Sequence, residues 1–167
     1  NAPFGNVPAH GKVTEKLDWE VELALVIGTG GTNIAEDKAM RHVYGYTVAN
    51  DVSAREVQRH HGQQWFRGKS LDGHLPMGPW IVTDLDYRKM TTVIRLNGQE
   101  VDRFNTWDMI HDVETYIEEV SKYCTLYPGD VMWMGTDGSP RNMKPGDVCE
   151  VDITGIGTLR NKVVLES

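Results

Sequence analysis

A surplus of basic residues is missing from this chain, as are long apolar runs and all but two cysteines. Lysine and arginine number 17 against 24 acidic residues, a net charge of -7 at pH 7. That balance argues against nucleic acid or an anionic membrane as the principal partner. No apolar stretch approaches the ~18 residues that a transmembrane helix needs, and no basic-then-apolar signal segment opens the chain. Cys124 and Cys149 have no metal-ligand spacing and sit among apolar neighbours. They are expected as free, buried thiols of a reducing compartment, hence a cytoplasmic protein, with a lone disulfide as the alternative. Repeats and low-complexity tracts are absent too. The chain also lacks an initiator Met. Residues 1–16 are expected to be a leading segment, the remnant of a longer N-terminal part, ahead of one domain at 17–167.

What is present reads mainly as strands joined by glycine- and proline-rich turns. The spacing predicts a strand over 17–27 running into the Gly28-Thr29-Gly30-Gly31 turn, which lacks the full phosphate-loop pattern. Asn33, with Glu36 three residues on, is expected to cap a short helix reaching about His42. A strand from Val43 to Ala49 and a short helix from Ala54 to about His61 follow. The polar, aromatic stretch from Gln63 to Pro79 is too long for a tight turn and has the look of a functional loop. Further strands are expected at 80–83, 92–96, 131–134, 148–153 and 159–165, with Asn97-Gly98 as a hairpin turn. Val113, Ile117 and Val120 share one face of a helix over about 112–123. The fold class is therefore mainly β with short helices.

The most informative feature is a pair of acids inside an apolar run, Trp19-Glu20-Val21-Glu22-Leu23. Side chains alternate along a strand, so Glu20 and Glu22 share a face, roughly 7 Å apart. Like charges beside a core cost several kcal/mol per ion unless neutralised. Two readings follow: a divalent cation such as Mg²⁺ or Mn²⁺ neutralises them, or both lie in water on an edge strand. Asp51, just past an apolar strand, is either a third ligand or a helix N-cap assisted by Ser53. Arg55 and Gln58 would share a helix face with Asp51 near its start, suited to a substrate carboxylate, or else to solvent. Lys69 is either surface decoration or a stabiliser of negative charge. His60 and His61 point apart on a helix, and His10, His42, His74 and His111 carry no assignment. Gly135-Thr136-Asp137-Gly138 is a turn, or a donor of N–H groups and a hydroxyl to a substrate oxygen.

Taken in order, these segments resemble the C-terminal catalytic domain of the fumarylacetoacetate hydrolase family. The resemblance runs through Trp19-Glu20-Val21-Glu22-Leu23-Ala24, then Gly45 to Arg55, Gln64-Trp65-Phe66-Arg67-Gly68-Lys69-Ser70-Leu71-Asp72-Gly73 and Pro76-Met77-Gly78-Pro79-Trp80. It continues through Asn97-Gly98, Asn105-Thr106 with Met109, Pro128-Gly129-Asp130, Gly135-Thr136, Lys144-Pro145-Gly146-Asp147 and Gly155 to Asn161, spanning 17–164. The resemblance implies a mixed β-roll, commonly a homodimer. It implies that Glu20, Glu22 and Asp51 bind a divalent cation, usually Mg²⁺, sometimes Mn²⁺ or Ca²⁺. Arg55 and Gln58 match positions that contact substrate or brace the site, Lys69 the active-site lysine, and Thr136 a substrate-oxygen contact.

One departure matters. Hydrolytic members carry a water-activating His–Glu pair on a lid upstream of the first metal glutamate. Here that stretch offers His10 and Glu15 without a lid helix, and the role is not carried over to His10. The expected activity is cleavage of a carbon–carbon bond in a small 2,4-dioxo acid of acylpyruvate or fumarylacetoacetate type. The alternatives are an isomerase, hydratase or decarboxylase of 2-oxo acids, such as a 2-hydroxyhepta-2,4-diene-1,7-dioate isomerase, or a catalytically incomplete metal-binding fragment.

Overall fold

The structure, a computed structural model, describes residues 1–60, 62, 65–137 and 142–166. Early strands are β1 (Val7–Pro8), β2 (Leu17–Asp18), β3 (Val21–Ile27), β4 (Val43–Asn50) and β5 (Ser53–Ala54). The middle of the chain holds helices α1 (Arg55–His60) and α2 (Phe66–Lys69) and strands β6 (Met77–Val82), β7 (Thr91–Leu96) and β8 (Gln99–Asn105). Helix α3 (Val113–Tyr123) precedes β9 (Val131–Trp133), β10 (Asn142–Met143), β11 (Val148–Ile153) and β12 (Gly157–Val164). They form a five-stranded sheet β1-β12-β11-β7-β8, a four-stranded sheet β6-β4-β3-β9 and a three-stranded sheet β10-β2-β5. Only β1 and β12 pair in parallel among these ladders, so the fold is a mixed β-roll with short helices.

The central position of β3 explains its composition. Flanked by β4 and β9, it is buried at all seven residues. Val21, Leu23, Leu25 and Ile27 enter the main core with Trp19, Ile94, Ile117, Ile153 and Leu159. Each such side chain contributes about 1.5–3 kcal/mol on burial. The expected single strand over 17–27 is in fact two. β2 pairs with β5 and β10, and β3 with β4 and β9, so the chain changes sheets at Trp19-Glu20. The alternation continues through the joint, which is why the pattern hides it.

Asn33 is another correction. It adopts φ 49, a left-handed conformation that Asn tolerates, and caps nothing. The following 3-10 helix, Glu36–His42, begins after Ala35 without a side-chain cap. Asp112 does cap α3, accepting from Thr115 N–H at 2.9 Å. The Asn97-Gly98 turn joins β7 to β8 with φ of 53 and 79, the left-handed pair a two-residue hairpin requires. Both thiols are free, but only Cys149 is buried; Cys124 is exposed at the end of α3. Residues of the leading segment are packed in: β1 pairs with β12, and Asn161 Nδ2 donates to the Gly5 carbonyl at 2.8 Å. No helix of the described residues is long and apolar enough to cross a membrane.

Candidate metal centre

The register of β3 against β4 brings the acids together. β3 and β4 pair Val21 with Asn50 and Glu22 with Ala49, so the end of β4 lies beside the start of β3. There Asp51 N–H donates to the Glu20 carbonyl at 2.6 Å, and Glu20 N–H to Asn50 Oδ1 at 3.1 Å. One carboxylate oxygen from each of Glu20, Glu22 and Asp51 then lies within 4.8 Å of the others. Asp51 is no helix cap, because β5 stands between it and α1.

The electrostatics of this cluster are unbalanced. Glu22 is 5% exposed, and its Oε2 accepts from Gly135 N–H at 2.6 Å. Burial dominates over that bond and pushes its carboxyl up to about 7. Burial also raises Asp51, although the Lys69 ammonium opposes it. Asp51 Oδ2 takes Lys69 Nζ at 2.6 Å, while Oδ1 is buried without a hydrogen-bond partner. Hard oxygens converging on one spot, one of them orphaned, suit a hard divalent cation.

Two cations already brace the acids. Lys69 Nζ contacts Glu20 Oε2 as well as Asp51. Its helix α2 reaches the site because Gly68 lies against α1: a Cβ there would stand 2.9 Å from Gln58 N. Arg55 binds Asp18 Oδ2 through Nε at 2.8 Å, Gln58 Oε1 through Nη1 at 2.6 Å and Glu20 Oε1 through Nη2 at 2.5 Å. Asp18 escaped the sequence reading, although Asp18, Glu20 and Glu22 recur at period two.

The remaining candidates divide. The Gly135 N–H faces Glu22, and Thr136 Oγ1 donates to the Asp137 carbonyl at 3.2 Å; Gly138 lies outside the described residues, as do His61 and Gln64. His10 is turned elsewhere. Its Nε2 pairs with the Asp72 carbonyl at 2.7 Å, Nδ1 lies 3.6 Å from Glu166, and its ring meets His74 edge-on. His42 Nδ1 bonds the Thr29 carbonyl at 2.7 Å, and His111 packs near Tyr116. A cavity of about 380 Å³ lined by Leu23, Phe104, Met109, Tyr116 and Met134 opens on the other face of β3, since Leu23 points away from Glu22. It shares Gly135 with the carboxylate site, through the N–H that Glu22 accepts.

The family model described as fumarylacetoacetate (FAA) hydrolase C-terminal matches residues 1–164. The chain belongs to the fumarylacetoacetate hydrolase family. A human mitochondrial oxaloacetate tautomerase is 42% identical over 162 residues, covering 90% of this chain and 52% of that protein. A solved 5-carboxymethyl-2-hydroxymuconate delta-isomerase from Mycobacterium smegmatis has a TM-score of 0.93 at 39% identity, covering 99% of this chain and 65% of the other. A fumarylacetoacetate hydrolase from psychrophilic Exiguobacterium antarcticum has a TM-score of 0.95 at 41% identity, covering 99% and 62%. The chain thus spans between half and two thirds of these family relatives.

Proposed function

We propose that this family domain binds a divalent cation, Mg²⁺ or Mn²⁺ with Ca²⁺ as a third option, and promotes enolisation of a small 2-oxo acid. The reaction is a tautomerisation or isomerisation. The observation that carries this reading is the convergence of Glu20, Glu22 and Asp51 within 4.8 Å, with Asp51 Oδ1 left bare. A bound cation supplies Lewis acidity and positive charge where a 2-oxo-carboxylate docks. Glu20, Glu22 and Asp51 hold that ion. Lys69, already beside two of them, stabilises negative charge developing on the substrate oxygen. Thr136 orients a substrate oxygen, while Arg55 and Gln58 brace the site from behind Glu20. The names of the human and mycobacterial relatives favour enol chemistry over hydrolysis.

The second reading is hydrolysis of a 2,4-dioxo acid, supported by the likeness to the Exiguobacterium hydrolase. A homodimer in the cytoplasm completes the proposal. Turnover of a panel of 2-oxo and 2,4-dioxo acids, with and without divalent ion, is the deciding test. One product interconverting keto and enol forms supports the proposal. Two fragments would replace it with a hydrolase, released CO₂ with a decarboxylase, and full activity after chelation would remove the metal from the reaction.

A further inference from the structure

We propose that Asp18 is a positioning residue, acting through Arg55 to fix which way Glu20 presents its carboxylate to the cation; this rests on the metal reading above. Asp18 lies on β2, the middle strand of its sheet, with Ser53 opposite on one side and Asn142 on the other. Its backbone is therefore held from both flanks. Arg55 follows β5 directly, and its N–H donates to the Lys16 carbonyl at 2.9 Å. The start of α1 is pinned again by Glu56 Oε2, which accepts from Thr14 Oγ1 at 2.9 Å and Glu15 N–H at 2.8 Å. Residues 14–18 thus set where the guanidinium begins and where its Nε must point.

The guanidinium is a rigid planar fork. With Nε on Asp18 at 2.8 Å and Nη1 on Gln58 at 2.6 Å, its orientation is settled before Glu20 is considered. Nη2 then takes Glu20 Oε1 at 2.5 Å, which turns Oε2 toward Lys69 and Asp51. The result is a row of alternating charge, Asp18, Arg55, Glu20, Lys69 and Asp51. Asp18, Arg55 and Glu20 each keep only 13% of their side-chain surface exposed. At that burial a lost partner is not replaced cheaply by water. Without the Asp18 charge the fork has one fewer anchor, and Glu20 loses the constraint that sets which oxygen faces Lys69 and Asp51. Groups behind a metal ligand typically alter metal affinity 10- to 100-fold.

The test is Mn²⁺ affinity, read from loss of the free-ion electron paramagnetic resonance signal, in wild type, Asp18→Asn, Arg55→Gln and the double variant. Melting temperatures are measured alongside. Asp18→Asn is expected to weaken binding about 10- to 100-fold. In the Arg55→Gln background it should add nothing, because the arginine is the route by which it acts. Affinity within about twofold of wild type for Asp18→Asn, or losses that multiply in the double variant, would overturn the positioning role. If Asp18→Asn does not fold, Arg55→Lys decides. It keeps the charge but loses the fork, so a loss of about tenfold or more supports the role and unchanged affinity overturns it. Wild type that takes up no Mn²⁺ would overturn the metal reading and this role together.

Discussion

Glu22 and Glu114 are the same side chain in two regions of one molecule. Glu114, on α3, has both oxygens taken: Oε2 by the Tyr87 hydroxyl at 2.6 Å and Oε1 by Arg88 Nη2 at 2.5 Å. Arg88 also lies over the Tyr87 ring, 4.6 Å from its centroid. Glu22 is more buried, and its hydrogen bond among the described residues comes from one backbone N–H. Glu114, with both acceptors filled, ties α3 to the 3-10 turn at Tyr87–Lys89 and has little left for a ligand. A carboxylate that is buried and short of donors is costly on its own, and a cation removes that cost. The difference in partners, more than residue type, separates Glu22 from Glu114; Glu20 spends its oxygens on Arg55 and Lys69, the second of which also holds Asp51.

The largest effect that would sharpen this contrast is on turnover. Glu22→Ala is expected to abolish both divalent-ion uptake and activity on oxo acids, whereas Glu114→Gln should leave ion affinity unchanged. Isothermal titration with Mn²⁺ checks both. Equal loss in the two variants would erase the distinction.

Next comes pH. In chelator-treated protein the Glu22 carboxyl stands at about 7 when folded against 4.5 when free. Its contribution is therefore complete below 4.5. Between 4.5 and 7 the folded state holds the extra proton, so stability falls as pH rises through that window, by on the order of 3 kcal/mol. Saturating Mg²⁺ should flatten the decline, and urea unfolding at pH 5 and pH 8 measures it. A smaller effect, about 1–3 kcal/mol, is expected from Gly68→Ala. Its new methyl crowds Gln58 and displaces Lys69, lowering kcat while Mn²⁺ affinity persists. The smallest is Glu114→Gln itself, about 1–2 kcal/mol of stability by urea unfolding, with no change in kcat.

The same contrast explains how much could be read beforehand. Glu20 and Glu22 were visible because two acids at period two inside a β-branched and leucine-rich run conflict with burial. The one-faced pattern of Val113 and Ile117 gave α3, and Asn97-Gly98 gave the hairpin. Asp51, Lys69 and Thr136 carried no such conflict: each had a bland reading beside the functional one, and the family resemblance is what favoured the latter. Two-residue strands such as β1, β2, β5 and β10 are too short to show a period at all. Asp18 was hidden differently. It lies at the right spacing from Glu20, yet its importance comes from Arg55, thirty-seven residues away, a contact created only when β2 pairs with β5. Cys124 misled because apolar neighbours in sequence, Tyr123 and Leu126, do not enclose it on the helix end.

The sheet change at Trp19-Glu20 has a mechanical consequence. Asp18 belongs to one sheet and Glu22 to another, so the acidic cluster straddles a seam. An ion bound there would act as a rivet between the two sheets, and slippage of either sheet would alter the spacing of the oxygens around it.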